Sequence, residues 1–215
     1  MCFSAAASFS ASAVCAAAGV MAIRRADRAD LPLALIPMIF ALHQAIEGLV
    51  WMTHAEGWGR HAGYAFAIIA FCLWPVYVPI ASWLSESDAR RRKFMLFFVG
   101  LGAVIALLAA QVLYFGLIID FATHQIQYLP TTPYPLIFDY LYTACVVGPF
   151  WMHRSPYMKI FGCLILAFFA VSTLYFNPAR YSVWCFFAAL SSVVVYLFIR
   201  ARAEAGEPGS AAAAG

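Results

Sequence analysis

The sequence predicts an all-α integral membrane bundle of seven transmembrane helices, and three observations predict it. Of 215 residues, 65% are hydrophobic and 11% charged, with mean hydropathy +0.83, a balance far from that of a soluble domain of this length. Seven apolar stretches, near residues 4–23, 31–54, 62–84, 94–118, 134–152, 157–176 and 181–199, are long enough at about 1.5 Å rise per residue to cross a hydrocarbon core roughly 30 Å thick. The basic residues fall after every second stretch, as an odd number of spans requires.

The first stretch is rich in Ala and Ser and has no basic region before it. Arg24 and Arg25 follow it instead, so it reads as a retained anchor rather than a cleaved signal peptide. The second stretch, Leu31 to Thr53, carries His43, Gln44 and Glu47. The third contains Pro75 and Pro79, which remove two backbone donors, bend the helix and free carbonyls for other partners. The loop after it holds Arg90, Arg91, Arg92 and Lys93, and the longest loop, around 119–133, carries Pro130 and Pro133. The fifth, sixth and seventh stretches carry, respectively, Asp139 and Tyr142, a polar end at Asn177, and Arg180 at the start of the seventh; beside Asn177 and Pro178, Arg180 reads as a short-loop anchor, with Asp139 or an anionic headgroup as its alternative partners. Residues 1–200 form the transmembrane domain; residues 201–215, ending in AEAGEPGSAAAAG, have nothing to bury and read as a disordered cytoplasmic tail.

Eleven of the 13 basic residues fall on one side of this arrangement, against Arg60 and Arg180 on the other. By the positive-inside rule the N-terminus is external and the C-terminus cytoplasmic, and the expected location is a plasma (inner) membrane. The net charge of +3 is then explained by topology and contacts with membrane lipids, and no nucleic-acid partner is expected. The six cysteines show no CxxC and lie mostly inside spans, so they read as small buried hydrophobes.

Topology gives each polar residue a depth. His43, Gln44, Glu47, Trp51, Asp139, Tyr142, Asn177 and Arg180 all fall in the external half, whereas the inner halves are nearly all apolar. A ligand-binding pocket open to the external side, above an apolar floor, follows; a conducting path would need polar residues through the full thickness. His43 and Glu47, four residues apart, lie on one face of a helix, where an acid at mid-membrane costs roughly 2.5–3.5 kcal/mol unless it is paired, hydrated or bound. With Asp139 or Cys2 as further ligands, the pair offers N, O and S donors to one divalent metal ion. Two carboxylates facing one another there would share that ion or a proton.

Other chemistries lack their residues. Neither lysine, Lys93 or Lys159, lies in the last span, so a retinal Schiff base is excluded. There is no GxSxG or HExxH motif and no histidine in the last span of the kind used by ceramidase-type hydrolases, and no internal repeat supports a duplicated transporter.

The opening Met1-Cys2-Phe3-Ser4 and the motif His43-Gln44-x-x-Glu47-x-x-Val50-Trp51 resemble a family of small bacterial polytopic membrane proteins of unknown function. The resemblance covers roughly the first 55 residues and implies that Cys2, Ser4, His43, Gln44, Glu47 and Trp51 belong together. Three functions fit these residues. The first is binding of a small molecule or metal ion in the external pocket; the second is small-molecule or ion transport; the third is metal-dependent catalysis on a lipid or other apolar substrate. With no output domain, a sensor would act through a membrane partner or a second copy of the chain.

Overall fold

Side chains in the second and third helices decide how this bundle assembles. The protein is described by a computed structural model at residues 4–121, 125–135 and 137–206. The chain is mostly helical: α1 (Ala5–Ile23), α2 (Leu31–Ala34), α3 (Ile36–Thr53), α4 (Gly59–Ile68), a π-helical turn (Ile69–Leu73), α5 (Trp74–Ser85), α6 (Ala89–Phe115), α7 (Ile137–Met152), α8 (Pro156–Tyr175), α9 (Arg180–Ser191) and α10 (Val193–Glu204). Six runs are long and apolar enough to cross a membrane: Ala5–Ile23, Leu31–Thr53, Gly59–Ser85, Ala89–Phe115, Pro156–Tyr175 and Arg180–Glu204. The expected span at 134–152 is the shorter α7, 16 residues long. Pro133 and Pro135 precede it and disfavour helical geometry upstream.

The long loop holds an element with no counterpart in the sequence reading. β1 (Leu117–Asp120) pairs antiparallel with β2 (Gln127–Pro130), Leu117 opposite Pro130. α6 stops at Gly116, whose φ of 136° lies where a side chain is disfavoured, and the Leu117 amide then donates to the Tyr64 hydroxyl at 3.0 Å. This end of the molecule is called the hairpin end below.

The two prolines of the third run act as expected. At the π turn the Trp74 amide bonds to Ile69 O rather than to Ala70 O, and Pro75, the π partner of Ala70, has no N–H to offer. The freed Ala70 carbonyl accepts from the Tyr142 hydroxyl of α7. Pro79 likewise leaves the Pro75 carbonyl free, and it takes a contact from the Cys145 thiol at 3.4 Å. Gly102 of α6 lies against that same Pro75 oxygen, closer than any Cβ could come. The carbonyls freed along one helix thus become docking points for two others.

Opposite the hairpin lies the basic end, where the chain is bolted by residues far apart in sequence. Asp30 accepts from the Ser85 hydroxyl and, at 2.8 Å, from the Arg202 guanidinium, joining the start of α2, the end of α5 and α10. Arg202 falls within the segment read as a tail; α10 instead continues to Glu204, because that ion pair gives its last turn a partner. Residues 207–215 of the expected tail lie outside the described residues.

Burial pushes the Asp30 carboxyl up to about 6, and the Ser85 hydrogen bond and Arg202 only partly oppose it. A carboxyl that binds its proton more tightly folded than unfolded contributes stability that is full below the ordinary value of 3.8 and lost as pH rises through about 6. Burial moves His153 the other way, down to about 4, so its own contribution falls on acidification. Thermal unfolding in detergent at pH 7 and pH 4.5, compared between wild type and Asp30→Asn, isolates the first effect. The wild type is expected to gain stability relative to the variant at the lower pH; an equal response in both would remove Asp30 from the account.

Candidate functional site

α3 presents its polar residues to two different neighbours. His43 and Gln44 are fully buried and Glu47 is 1% exposed. The His43 ring stacks on Phe66 of α4 with centroids 4.1 Å apart, and its Nε2 lies 3.2 Å from the Phe66 carbonyl. A carbonyl only accepts, so Nε2 carries the hydrogen and Nδ1 is a bare acceptor; Nδ1 is buried without a partner among the described residues. Phe66 in turn stacks on Tyr128 of the hairpin at 4.4 Å.

Glu47 turns toward α9. Its carboxylate accepts from the Ser182 hydroxyl and, at 3.2 Å, from the Gln44 amide. The Gln44 carbonyl oxygen is buried and unpartnered among the described residues. Every donor that reaches Glu47 among the described residues is uncharged.

Asp139 of α7 has the opposite environment. The Arg180 guanidinium lies 3.0 Å from its Oδ2 and the Tyr181 hydroxyl donates to Oδ1 at 2.8 Å. Arg180 also donates to Asn177 at 2.8 Å, to Tyr134 at 3.1 Å and to the Tyr181 oxygen at 2.9 Å. Tyr181 gives its proton to Asp139, so Tyr134 donates to Tyr181 in their contact. Three consecutive residues in the first turn of α9 therefore serve both acids: Arg180 and Tyr181 hold Asp139, and Ser182 holds Glu47. Successive helical residues turn by about 100°, which is how one turn faces two neighbouring helices.

The chain matches, over residues 1–210, a family of unknown function, DUF6629. It belongs to that family. Comparison with curated proteins and with solved structures gives no match.

In this DUF6629 chain the residues expected to form one site divide into groups. His43, Gln44 and Glu47 are packed inside; Asp139, Arg180 and Asn177 are joined by direct bonds; Tyr142 is spent on the Ala70 carbonyl. Trp51 is half-buried, its indole Nε1 without a partner among the described residues and its ring edge-on to Phe121 at 5.7 Å. The expected shared metal centre is not seen among the described residues. Among the described residues no group of three His, Cys, Asp or Glu is placed to hold a metal ion, and Cys2 lies outside the described residues. The reason is pairing: Asp139 has taken Arg180, and His43 and Glu47, though four residues apart, take separate partners on α4 and α9.

Cavities lie beside the Arg180 cluster. One of about 260 Å³ is lined by Tyr128, Thr132, Tyr134, Pro178, Arg180 and Tyr181. A larger one of about 430 Å³ runs between α6 and α7 beneath the hairpin, with Leu108, Leu113, Phe138 and Leu141 among its walls. The sequence reading missed Ser182, Tyr134 and Tyr128 as site members. Ser182 and Tyr134 were visible only as polar residues near span ends; nothing in their local pattern announces a partner on another helix.

Proposed function

We propose that this chain is a seven-span plasma-membrane protein whose hairpin end faces outside and binds a small cationic, donor-bearing molecule at Glu47. The observation that carries this reading is the contrast between the two buried acids. Asp139 is neutralised by Arg180, whereas among the described residues Glu47 meets only the neutral donors of Ser182 and Gln44. Near it the buried atoms without partners among the described residues include two acceptors, Gln44 Oε1 and, one turn back, His43 Nδ1, and the Tyr128 hydroxyl, which accepts or donates, so the set accommodates a hydrogen-bond donor bearing positive charge. Orientation rests on the concentration of basic residues at the other end, and membrane placement on the six long apolar runs and on exposed apolar side chains such as Phe97 at 68% and Leu107 at 72%.

Binding is favoured over conduction by what lies in between. Ile36, Phe40, Trp74, Val78, Val146, Ile165 and Trp184 form an apolar middle layer, which offers a passing ion nothing to replace its hydration. The test is a thermal-shift titration of detergent-purified protein with a series of primary, secondary and quaternary ammonium compounds. Wild type is expected to be stabilised saturably by members of one class, and Glu47→Gln, which preserves shape, to fold normally and lose the response. No response from any member, or an equal response in the variant, would overturn the reading.

A further inference from the structure

A second cavity opens at the basic end, between the turn after α5, the turn joining α7 to α8, and the last turn of α10. It measures about 260 Å³, and its walls include Ser87, His153, Arg154, Ser155, Tyr157 and Arg202. His153 is 3% exposed. Its Nδ1 accepts from the Ser155 amide at 3.1 Å, so the neutral ring carries its hydrogen on Nε2, and that nitrogen is buried with no partner among the described residues. Arg202 contributes a second such donor: its terminal nitrogen is bonded to Asp30 and Ser85, while its Nε has no partner among the described residues. Two buried N–H groups from two elements thus border one space and lack acceptors.

The backbone adds to them. α8 is 20 residues long and begins at Pro156 on this cavity, and Ser155 makes no side-chain cap. First-turn amides such as those of Tyr157 and Met158 have no acceptor within their own helix, and the helix dipole there favours negative charge. The one acid on the cavity wall among the described residues, Glu86, is 1% exposed. Its two oxygens are taken by the Asp88 amide at 2.9 Å and the Arg154 amide at 2.6 Å, and it lies 3.9 Å from His153 Nδ1. It fixes the turn that carries His153 and Arg154. The Arg154 side chain is exposed and borders the opening.

We propose that this cavity binds the phosphate group of a phosphoester, held by His153 Nε2–H, Arg202 Nε–H, the Arg154 guanidinium and the amides that open α8. The phosphate comes either from the headgroup of an anionic lipid or from a soluble metabolite, since both present the same oxygens. The site is separate from Glu47 and does not depend on how that residue acts.

The test uses the full chain in detergent and in nanodiscs. His153→Asn keeps an acceptor where Nδ1 stands and deletes the Nε2 donor; Arg154→Gln removes the charge and leaves the backbone bond to Glu86 intact. Both variants should unfold as the wild type does without ligand, and Glu47→Gln should bind phosphate as the wild type does. Titration with inorganic phosphate and glycerol 3-phosphate forms one arm. Retention of phosphatidylglycerol against phosphatidylcholine from nanodiscs, read by native mass spectrometry, forms the other. Saturable binding of the soluble esters, weakened about tenfold or more in each variant, assigns a metabolite; selective phosphatidylglycerol retention lost in both variants assigns a lipid headgroup. Absence of both, or equal behaviour of wild type and variants, overturns the site.

Discussion

Alanine in place of Arg180 is expected to cost the folded protein about 3 kcal/mol or more, the usual penalty for stranding a buried charge. Arg180 is the only cation within bonding reach of Asp139 among the described residues, and the two side chains are 15% and 10% exposed. The same substitution strips a donor from Tyr134, Tyr181 and Asn177, so the whole hairpin end should loosen. Asp139→Asn keeps the acceptor for Tyr181 and removes the stranded charge. The double variant should therefore be more stable than Arg180→Ala alone, a favourable coupling that a double-mutant cycle of detergent unfolding measures directly. Additive losses would show that the two residues act separately and that the ion pair does not hold α7 to α9.

Leucine at Gly102 is expected to be at least as damaging. A Cβ there would overlap the Pro75 carbonyl oxygen, which is backbone and cannot rotate aside, and would come within 3.2 Å of the Cys145 sulfur. α6 would have to retreat from α5, opening the junction where Tyr142 and Cys145 reach the carbonyls freed by Pro75 and Pro79. Overpacking of this kind costs about 1–3 kcal/mol when neighbours can yield, and here the neighbour is main chain. The control lies two residues away: Gly100 has nothing within 4 Å of its Cβ position, and Gly100→Ala should be neutral or gain slightly from helix propensity. Yield of monodisperse protein and its melting midpoint separate the two variants. Equal behaviour would mean that the close approach of α6 to Pro75 is not a constraint on the fold.

Much of this was legible from residues alone, and particular ones show where that ended. Pro75 and Pro79 announced freed carbonyls, because the missing N–H is a property of the residue itself. Glu47 and His43 announced a buried polar turn, because their spacing is local to one helix. Which way each faces was not announced. Their i, i+4 spacing suggested a shared ligand, yet the neighbours on either side of α3 differ, and each side chain bonds to the one it meets. Asp139 was read as a second acid of that same site, with Arg180 as its alternative partner; it takes that arginine, 41 positions away. The hairpin escaped notice because its strands are four residues each, too short to establish a period of two against apolar surroundings.

By itself the sequence determined the apolar, helical character of the chain, the approximate limits of most long helices, the carbonyls freed by Pro75 and Pro79 and the gathering of basic residues at one end. These follow from composition and short-range spacing, which solvent transfer and backbone chemistry read directly. The tertiary structure decided among the partners open to Arg180 by giving it Asp139, left Glu47 with only neutral donors among the described residues, and carried Arg202 across 172 residues to Asp30. It also decided that His153 and Arg202 border one cavity. Charge pairing inside a bundle depends on which helices come to lie side by side, and that is fixed by close packing at points such as Gly102 against Pro75, over separations at which no local pattern carries information.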